Sequence, residues 1–320
     1  MDFSHWGGKR YHPVSQHLKK QFGCKVYRVS IDAGFTCPNR DGTLGEGGCI
    51  YCGERGAASI GAERKLSIAG QLQTGMSVMR SKNRAEKFIA YFQSFTNTYE
   101  NLPLLRKLYE DALDADDVVG LAISTRPDCL SDEIFDLLQD LNQKTYLLLE
   151  LGLQTIHDRS LELINRGHDF SCFLKSYEEA GNRGLRVCVH SILGLPGESY
   201  SDMMETAQVL ASLRPDGVKL HLLHALKDTP LADMYRSGEW KPMEMEEYIH
   251  VVCDIIEKLH PETIVHRLTG DPLRGYLVAP EWCIKKWEVL NGIDRELILR
   301  ESFQGKFFVD GDRALKEVGV

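Results

Sequence analysis

The sequence lacks long apolar runs, internal repeats and tracts of low complexity. No stretch reaches the about 18 apolar residues that a membrane-spanning helix needs, and the first ten residues have no apolar core of a secretory signal. Acidic residues outnumber basic ones, 46 to 38, and the net charge of −8 argues against non-specific binding to duplex nucleic acid. The 320 residues are 43% hydrophobic and 26% charged, which excludes a disordered or fibrous chain. We therefore expect a globular, cytoplasmic protein.

The alternation of apolar and amphipathic segments indicates the fold. Strands are predicted at residues 25–32, 87–93, 118–124, 145–153, 185–193 and 217–223, with a further one at 263–268. Helices are predicted at 131–141, 201–213 and 243–259. Strands that alternate with helices pair in parallel through right-handed crossovers. The sequence thus predicts an α/β fold, a partial or complete (β/α) barrel of about six parallel strands, with an open doubly wound sheet as the alternative.

Three regions follow from this reading: a basic N-terminal arm at 1–24, the barrel at 25–240, and a C-terminal extension at 241–320 that packs on the barrel. Residues 1–28 hold six basic residues and one acidic residue, a net charge of +5, and residues 63–87 hold six and two, a net charge of +4. These segments precede and follow the most cysteine-rich part of the chain. They predict either a local patch for an anionic partner or an ordinary solvated surface.

Polar residues interrupt two of the predicted strands. Glu150 and Gln154 share one face of the fourth strand, and Lys219 and His221 share one face of the sixth. Barrel enzymes carry their active sites at the carboxyl ends of the strands, so these side chains predict either site residues or an internal hydrogen-bond network. His190 and His221 are interpreted as core histidines.

Three of the nine cysteines form a cluster after the first strand, with the spacing C-x11-C-x2-C at Cys37, Cys49 and Cys52. An odd number of cysteines in a chain without a secretory signal favours metal ligation over disulfides. A structural zinc site needs a fourth ligand, and a redox C-x-x-C leaves Cys37 unused. A three-cysteine iron–sulfur cluster leaves one iron open. The spacing alone is compatible with all three kinds of site: zinc, redox pair and iron–sulfur cluster.

Six further segments resemble the radical S-adenosylmethionine (SAM) superfamily, in particular its YhcC/YtqA-type group, which is related to the elongator catalytic subunit. The segments occur in order at the predicted strand ends: Ala33–Gly42, Tyr91–Tyr99, Thr125–Asp128, Glu150–Thr155, Asn165–His168 and Gly194–Glu198. Most of the superfamily has a first gap of three residues, whereas the gap here is eleven, as in that group. The resemblance implies a barrel of the radical SAM type with a [4Fe-4S] cluster on Cys37, Cys49 and Cys52. The open iron would bind SAM, whose cleavage gives a 5′-deoxyadenosyl radical that takes hydrogen from the substrate.

The resemblance also implies roles in SAM binding. Tyr51 would contact the adenine, and Gln93 and Ser94 would hold the methionyl amine. Glu150, Gln154 and Arg166 would contact the ribose or the carboxylate of SAM. Ser191 and the Gly194–Gly197 turn would pass close to its adenosine. For three motifs a structural reading stands beside the functional one: a turn at 126–128, a helix C-cap at 165–168 and a tight turn at 194–197.

The implied substrate is the wobble uridine in the anticodon loop of tRNA, whose side chain would change from carboxymethylaminomethyl to aminomethyl. The implied electron donor is a protein such as flavodoxin or ferredoxin. Two alternatives stay open from the residues: a radical SAM enzyme for a protein or small metabolite, and a zinc-stabilised binding protein without catalysis.

Overall fold

The computed structural model describes residues 3–54, 56, 64–272 and 275–309. Residues 1–2 of the predicted arm, Glu63 of the second basic segment and 310–320 of the predicted extension lie outside the described residues. No described helix has the length and apolar character that a membrane span requires. The contacts divide the chain into two compact units: residues 18–152 with 166–188, and residues 1–17 with 153–165 and 189–320. The predicted boundaries at residues 24 and 240 stay a prediction.

Seven strands form one sheet, and the predicted strands match them closely. They are β1 Val26–Ile31, β2 Lys87–Phe92, β3 Val118–Thr125, β4 Tyr146–Gln154, β5 Arg186–Leu193, β6 Gly217–Leu222 and β8 Ile264–Arg267. Their order is β1-β2-β3-β4-β5-β6-β8, with parallel pairing. Because β1 and β8 end this order, the sheet is open and the fold is a partial (β/α) barrel, as the sequence predicts.

The helices cover the connections between the strands. They are α1 Val14–Phe22, α2 Ile68–Asn83, α3 Leu102–Leu113, α4 Asp132–Lys144, α5 Asp158–Leu163, α6 Phe170–Asn182, α7 Tyr200–Leu213, α8 Pro230–Ser237, α9 Met245–Lys258 and α10 Lys286–Leu299. Side-chain caps fix several starts, because an oxygen there accepts a free backbone N–H. Ser131 accepts from the amide of Ile134, and Ser199 forms a reciprocal capping box with Asp202. The short strands β7 Ala225–Leu226 and β9 Leu277–Ala279 pair antiparallel; the sequence prediction did not include them.

Strand β4 has both faces buried along its whole length. One face carries four leucines, Leu147, Leu149, Leu151 and Leu153, all with 0% exposure. The other face carries Glu150 and Gln154, which are 4% and 6% exposed. A strand covered on both sides is typical of a parallel sheet with flanking helices. The buried polar face supplies the side chains that the sequence assigns to a site.

Candidate active site

The three cysteines of the cluster lie in one glycine-rich loop after the carboxyl end of β1. Backbone hydrogen bonds fold this loop: the Arg40 amide donates to the Cys37 carbonyl at 2.8 Å, and the Cys52 amide donates to the Cys49 carbonyl at 2.9 Å. Gly48 has a φ of +79°, and a Cβ there would stand 2.9 Å from Cγ of Arg40. Only glycine fits this turn without strain. The loop thereby holds the two thiols of the C-x2-C pair near the third.

Polar N–H groups surround these sulfurs. Arg40 Nη1 lies 3.2 Å from Sγ of Cys52, and it also donates to the carbonyls of Cys52 and Gly53. The Nη1 of Arg166 and the Nδ2 of Asn39 each lie 3.8 Å from Sγ of Cys49. Donors of this kind stabilise thiolates and tune the clusters that thiolates hold.

Burial disfavours negative charge at the sulfur of Cys52. It raises the pKa of Cys52 to about 11; Cys49 adds to the rise, whereas Arg40 opposes it. Burial also raises the pKa of Tyr51 well above its ordinary value, with a further contribution from Cys49. A metal centre overcomes this penalty because it replaces the thiol protons with positive charge. The donor set, three thiols with guanidinium N–H groups, fits an iron–sulfur cluster with one iron open to a ligand.

Arg126 forms a buried ion pair beside the thiols. Its Nε and Nη2 donate to the two carboxylate oxygens of Asp128 at 2.8 and 2.6 Å, and its side chain is 3% exposed. Within the described part of the chain its Nη1 is buried and has no hydrogen-bond partner. Burial lowers the pKa of Arg126, but Asp128, Cys37 and Cys49 raise it above its ordinary value. This fixed N–H group is available to an anion.

The sequence singled out the segment around Arg126 but did not predict the ion pair between Arg126 and Asp128. It gave 126–128 as a turn or a site, and the structure contains a 3-10 turn at Pro127–Cys129 together with the ion pair. A bidentate Arg–carboxylate pair two residues apart is a local signal that sequence reasoning had available.

Three residues to which the resemblance gives SAM contacts, Gln93, Ser94 and Arg166, lie in loops of the same unit. Arg166 contacts Cys49, donates from Nη2 to the Gly152 carbonyl at 3.1 Å, and donates from Nε to Nε2 of His168 at 2.9 Å. Burial, followed by the charge of Arg166, lowers the pKa of His168 to about 3, so His168 accepts as a neutral ring. Ser94, directly after β2, is 1% exposed, and its hydroxyl has no hydrogen-bond partner among the described residues. Gln93 beside it is 7% exposed.

Glu150 lies in a network of protein donors. It accepts from Arg28 Nη1 at 2.8 Å, from the Tyr91 hydroxyl at 2.8 Å and from the Ser124 hydroxyl at 2.7 Å. These contacts support the structural reading of the polar strand face, in which an internal network satisfies the carboxylate. Its contact with SAM stays a prediction, as do the SAM contacts of Tyr51, Gln93, Ser94 and Arg166.

The remaining predicted residues lie together in the other unit. Ser191 donates its hydroxyl to the Gln154 carbonyl at 2.9 Å. Gln154 has a φ of +73°, and its buried Oε1 has no hydrogen-bond partner in the described ranges. Gly194 has a φ of +83° and approaches Met243, and the Trp240 indole donates to its carbonyl at 3.1 Å. The backbone of this turn therefore requires glycine, and the roles in SAM binding stay predictions.

Several basic residues of the two segments bind within their own unit, and a patch for an anionic partner stays a prediction. Arg64 of the second segment donates to the Gly34 carbonyl, three residues before Cys37. Lys9 pairs with Asp294, and Arg10 donates to the Ser302 carbonyl at 3.0 Å. In the other unit, the Lys25 carbonyl accepts from the amides of Glu86 and Lys87 at 3.0 and 3.2 Å, which places these residues at the amino ends of β1 and β2. The thiol loop follows the carboxyl end of β1, so the exposed Lys25 lies at the opposite end of the strand.

An open parallel α/β sheet with a three-cysteine loop after its first strand defines a class, the enzymes that use a three-cysteine iron–sulfur cluster and SAM. Residues 37–210 match the family model of the Radical SAM superfamily, and residues 215–298 match the Radical_SAM C-terminal domain. The chain is 47% identical to YtqA of Bacillus subtilis over 300 residues, which are 94% of this chain and 93% of YtqA. It therefore belongs to the radical SAM superfamily, in its YhcC/YtqA-type group.

Two further comparisons concern relatives of the elongator type. The chain is 32% identical to the tRNA uridine(34) acetyltransferase of Methanocaldococcus infernus over 137 residues, 42% of this chain and 25% of that protein. The structure of the archaeal Methanocaldococcus infernus Elp3 with an N-terminal deletion matches with a TM-score of 0.67 and 18% identity, and it covers 87% of this chain. The chain spans 64% of that Elp3 chain, and the match shows a shared fold.

Family membership decides between the alternatives that the spacing left open. The chain is a radical SAM enzyme, and the cofactors of its superfamily are a [4Fe-4S] cluster and SAM. A zinc-stabilised binding protein without catalysis is thereby excluded.

Proposed function

We propose that Cys37, Cys49 and Cys52 hold a [4Fe-4S] cluster with which this enzyme cleaves SAM and remodels the side chain of the wobble uridine of tRNA in the cytoplasm. The modified side chain would change from carboxymethylaminomethyl to aminomethyl. The 5′-deoxyadenosyl radical would take a hydrogen atom from the methylene next to the carboxylate, the substrate radical would return one electron to the oxidised cluster, and water would release the two-carbon group as glyoxylate. One observation carries the cluster assignment: three thiols share one loop, and Arg40 and Arg166 direct N–H groups at two of them, at 3.2 and 3.8 Å.

The residues around the thiols have distinct tasks in this proposal. A [4Fe-4S] cluster held by Cys37, Cys49 and Cys52 would supply the one-electron reduction that splits SAM into methionine and a 5′-deoxyadenosyl radical. Arg40, Arg126 and Arg166 offset the negative charge of the thiolates and the ligand. Ser94, whose hydroxyl has no hydrogen-bond partner in the described ranges, offers a buried polar contact to the methionyl group of SAM. The buried surroundings keep water from the reactive centre.

The choice of tRNA rests on the comparisons and on the resemblance. One relative is named for acetylation of uridine 34 of tRNA, the wobble position, and it is 32% identical over 42% of this chain. A base in the anticodon loop is already accessible, and flipping it into an enzyme needs less energy than opening a duplex. These points support a tRNA substrate over a protein or a small metabolite.

The test uses the full chain, purified and reconstituted without oxygen. We expect about four irons per chain, 5′-deoxyadenosine from SAM in the presence of a reductant, and conversion of the wobble nucleoside in bulk tRNA, read by nucleoside mass spectrometry. A deletion strain should accumulate the carboxymethylaminomethyl form. An unchanged nucleoside profile in that strain refutes the tRNA substrate and favours the alternative of a protein or small metabolite, whereas zinc without iron refutes the cluster.

A further inference from the structure

Three histidines lie together in the unit that does not contain the thiols. His190 is on β5, His221 is on β6, and His224 follows β6. Ring centroids of His190 and His221 are 5.3 Å apart, and those of His221 and His224 are 5.2 Å apart. All three side chains are half-buried. The cluster therefore lies near the carboxyl end of β6, a position at which parallel α/β folds bind their ligands.

Hydrogen bonds assign the tautomers of two of the rings. Nδ1 of His221 lies 2.7 Å and Nδ1 of His224 lies 3.2 Å from the carbonyl oxygen of Leu222. A carbonyl oxygen only accepts, so both Nδ1 atoms carry hydrogen. Because each neutral imidazole carries one hydrogen, the Nε2 atoms of His221 and His224 present lone pairs.

The electrostatic surroundings keep these rings neutral. Burial lowers the pKa of His221 well below its ordinary value, and His224, His190 and Arg267 lower it further. Burial lowers the pKa of His224 to about 4; the Leu222 carbonyl and Asp271 oppose this, and Arg267 adds to it. Asp271 is itself paired with Lys286 at 2.8 Å. At neutral pH the cluster thus offers hydrogen-bond acceptors rather than positive charge.

The wall behind the rings leaves no room for an additional side chain. A Cβ on Gly270 would stand 2.8 Å from Sγ of the buried Cys283 and 3.2 Å from Nδ1 of His224. Gly270 therefore keeps the backbone close to His224 and Cys283 on this side of the rings. Within the described residues, the groups whose potential metal-ligand atoms all lie within 4.8 Å of one another do not include these histidines.

We propose that His221 and His224 accept hydrogen bonds from the amine nitrogen in the uridine side chain, with His190 as the adjoining wall. This inference rests on the proposed function, because that side chain contains a secondary amine between two methylene groups, which is protonated at neutral pH and so carries two N–H donors. Neutral acceptors match an N–H donor, whereas they give a carboxylate no partner. The cluster thus selects the nitrogen of the side chain and leaves its carboxylate to other residues.

The test compares two anticodon stem-loop RNAs that differ in one atom. One carries carboxymethylaminomethyluridine at the wobble position. In the other an ether oxygen replaces the amine nitrogen, which removes both N–H donors and the positive charge and keeps the shape and the carboxylate; the histidine variants below show which part of the preference depends on the rings. Binding is measured with the cluster-loaded full chain. We expect the amine RNA to bind about tenfold more tightly, the effect of one hydrogen bond to a buried partner. His221→Phe and His224→Phe should each abolish most of this preference.

Two further variants separate a binding role from a structural one. His221→Gln retains an acceptor and should retain part of the preference. His250→Phe alters a histidine on α9 that is 56% exposed and paired with Glu296, and it should leave the preference unchanged. Equal affinity of the unmodified chain for the two RNAs overturns the inference, as does a preference that persists in both phenylalanine variants.

Conversion of the amine RNA is measured on the same samples, so the two proposals fail differently. A tenfold preference without any SAM-dependent product refutes the proposed function and leaves the binding site. Product formation without the preference refutes the histidine site alone.

Discussion

The Arg126–Asp128 pair gives the sharpest test of how the thiol site is built. Asp128→Asn removes a carboxylate that accepts two hydrogen bonds from a guanidinium whose side chain is only 3% exposed. Breaking a buried pair in this way costs about 3–5 kcal/mol, because the remaining charge has no counter-ion. Asp128 itself is 14% exposed, so the lower end of that range is expected for the metal-free protein.

The loss of folding stability caused by Asp128→Asn should depend on whether the cluster is present. Cys37 and Cys49 lie close enough for their negative charge, when ionised, to raise the pKa of Arg126, and a cluster on those sulfurs keeps them as thiolates. The loaded protein therefore retains a counter-charge for Arg126, and we expect Asp128→Asn to destabilise it by less than the metal-free protein. Urea unfolding without oxygen, followed by circular dichroism for both forms, measures the two differences.

An exposed pair of the same chemistry is the control. Asp233 accepts from Arg236 Nη1 at 2.7 Å, but the two side chains are 77% and 56% exposed. Asp233→Asn should change stability by no more than about 0.5 kcal/mol, since solvent screens such pairs. The reasoning is refuted if Asp128→Asn and Asp233→Asn lower the free energy of unfolding by the same amount. It is also refuted if Asp128→Asn destabilises the loaded and the metal-free protein equally.

The pH dependence of the pair has a definite sign. Burial by itself raises the pKa of Asp128, but Arg126, with smaller contributions from His168 and Arg166, brings it below its ordinary value. A carboxyl whose pKa is lower in the folded state stabilises the protein above its unfolded pKa of about 3.9. That contribution is lost as the pH falls through the folded pKa. The difference in stability between the unmodified chain and Asp128→Asn should therefore shrink in acid and be constant near neutrality.

Three other substitutions test separate parts of the structure. Cys49→Ala should abolish the visible absorbance of the cluster and 5′-deoxyadenosine formation, while Cys253→Ala, a buried thiol on α9, keeps both; deoxyadenosine from the first variant would contradict the ligand assignment. Glu150→Gln removes the carboxylate that pairs with Arg28 and should lower the free energy of unfolding in urea by about 3 kcal/mol. An unchanged urea midpoint would show that the network is not needed for stability. Ser199→Ala removes a capping box and should cost about 1 kcal/mol with SAM cleavage unaffected; lost cleavage would reveal a role beyond the cap.

The strands were predictable because each is a run of apolar residues bounded by polar or turn residues. The predicted range 185–193 and the observed Arg186–Leu193 differ by one residue at one end. The seventh sheet strand, at Ile264–Arg267, also lies inside its predicted range. The pair β7 and β9 has two and three residues, too few for a periodic pattern to appear.

The thiol loop shows where sequence reasoning ends. Spacing and glycines predict that the C-x2-C pair lies near the third cysteine, because these are local constraints. The approach of Arg166 to Cys49 joins residues 117 positions apart, and only the packed fold sets it. Charge counting has the same limit for the basic arm: Lys9 and Arg10 contribute to its net charge, and only the fold shows that Lys9 pairs with Asp294 and that Arg10 donates to the Ser302 carbonyl.

The buried basic residues of the thiol unit explain how an acidic protein carries an anion site. The net charge of −8 describes the whole surface, whereas a site responds to the charges within a few ångströms, where screening is weak. Arg126 is held by Asp128, and Arg166 donates to a backbone carbonyl and to a neutral histidine, so each guanidinium is fixed before any ligand binds. Fixed donors need no reorganisation when an anion arrives. Burial, Cys49 and Cys37 raise the pKa of Cys52, and Arg40 opposes that rise, so the thiolate of Cys52 is not stabilised by its surroundings alone. Such local conflict is expected where a fold is selected to hold a ligand rather than to be most stable without one.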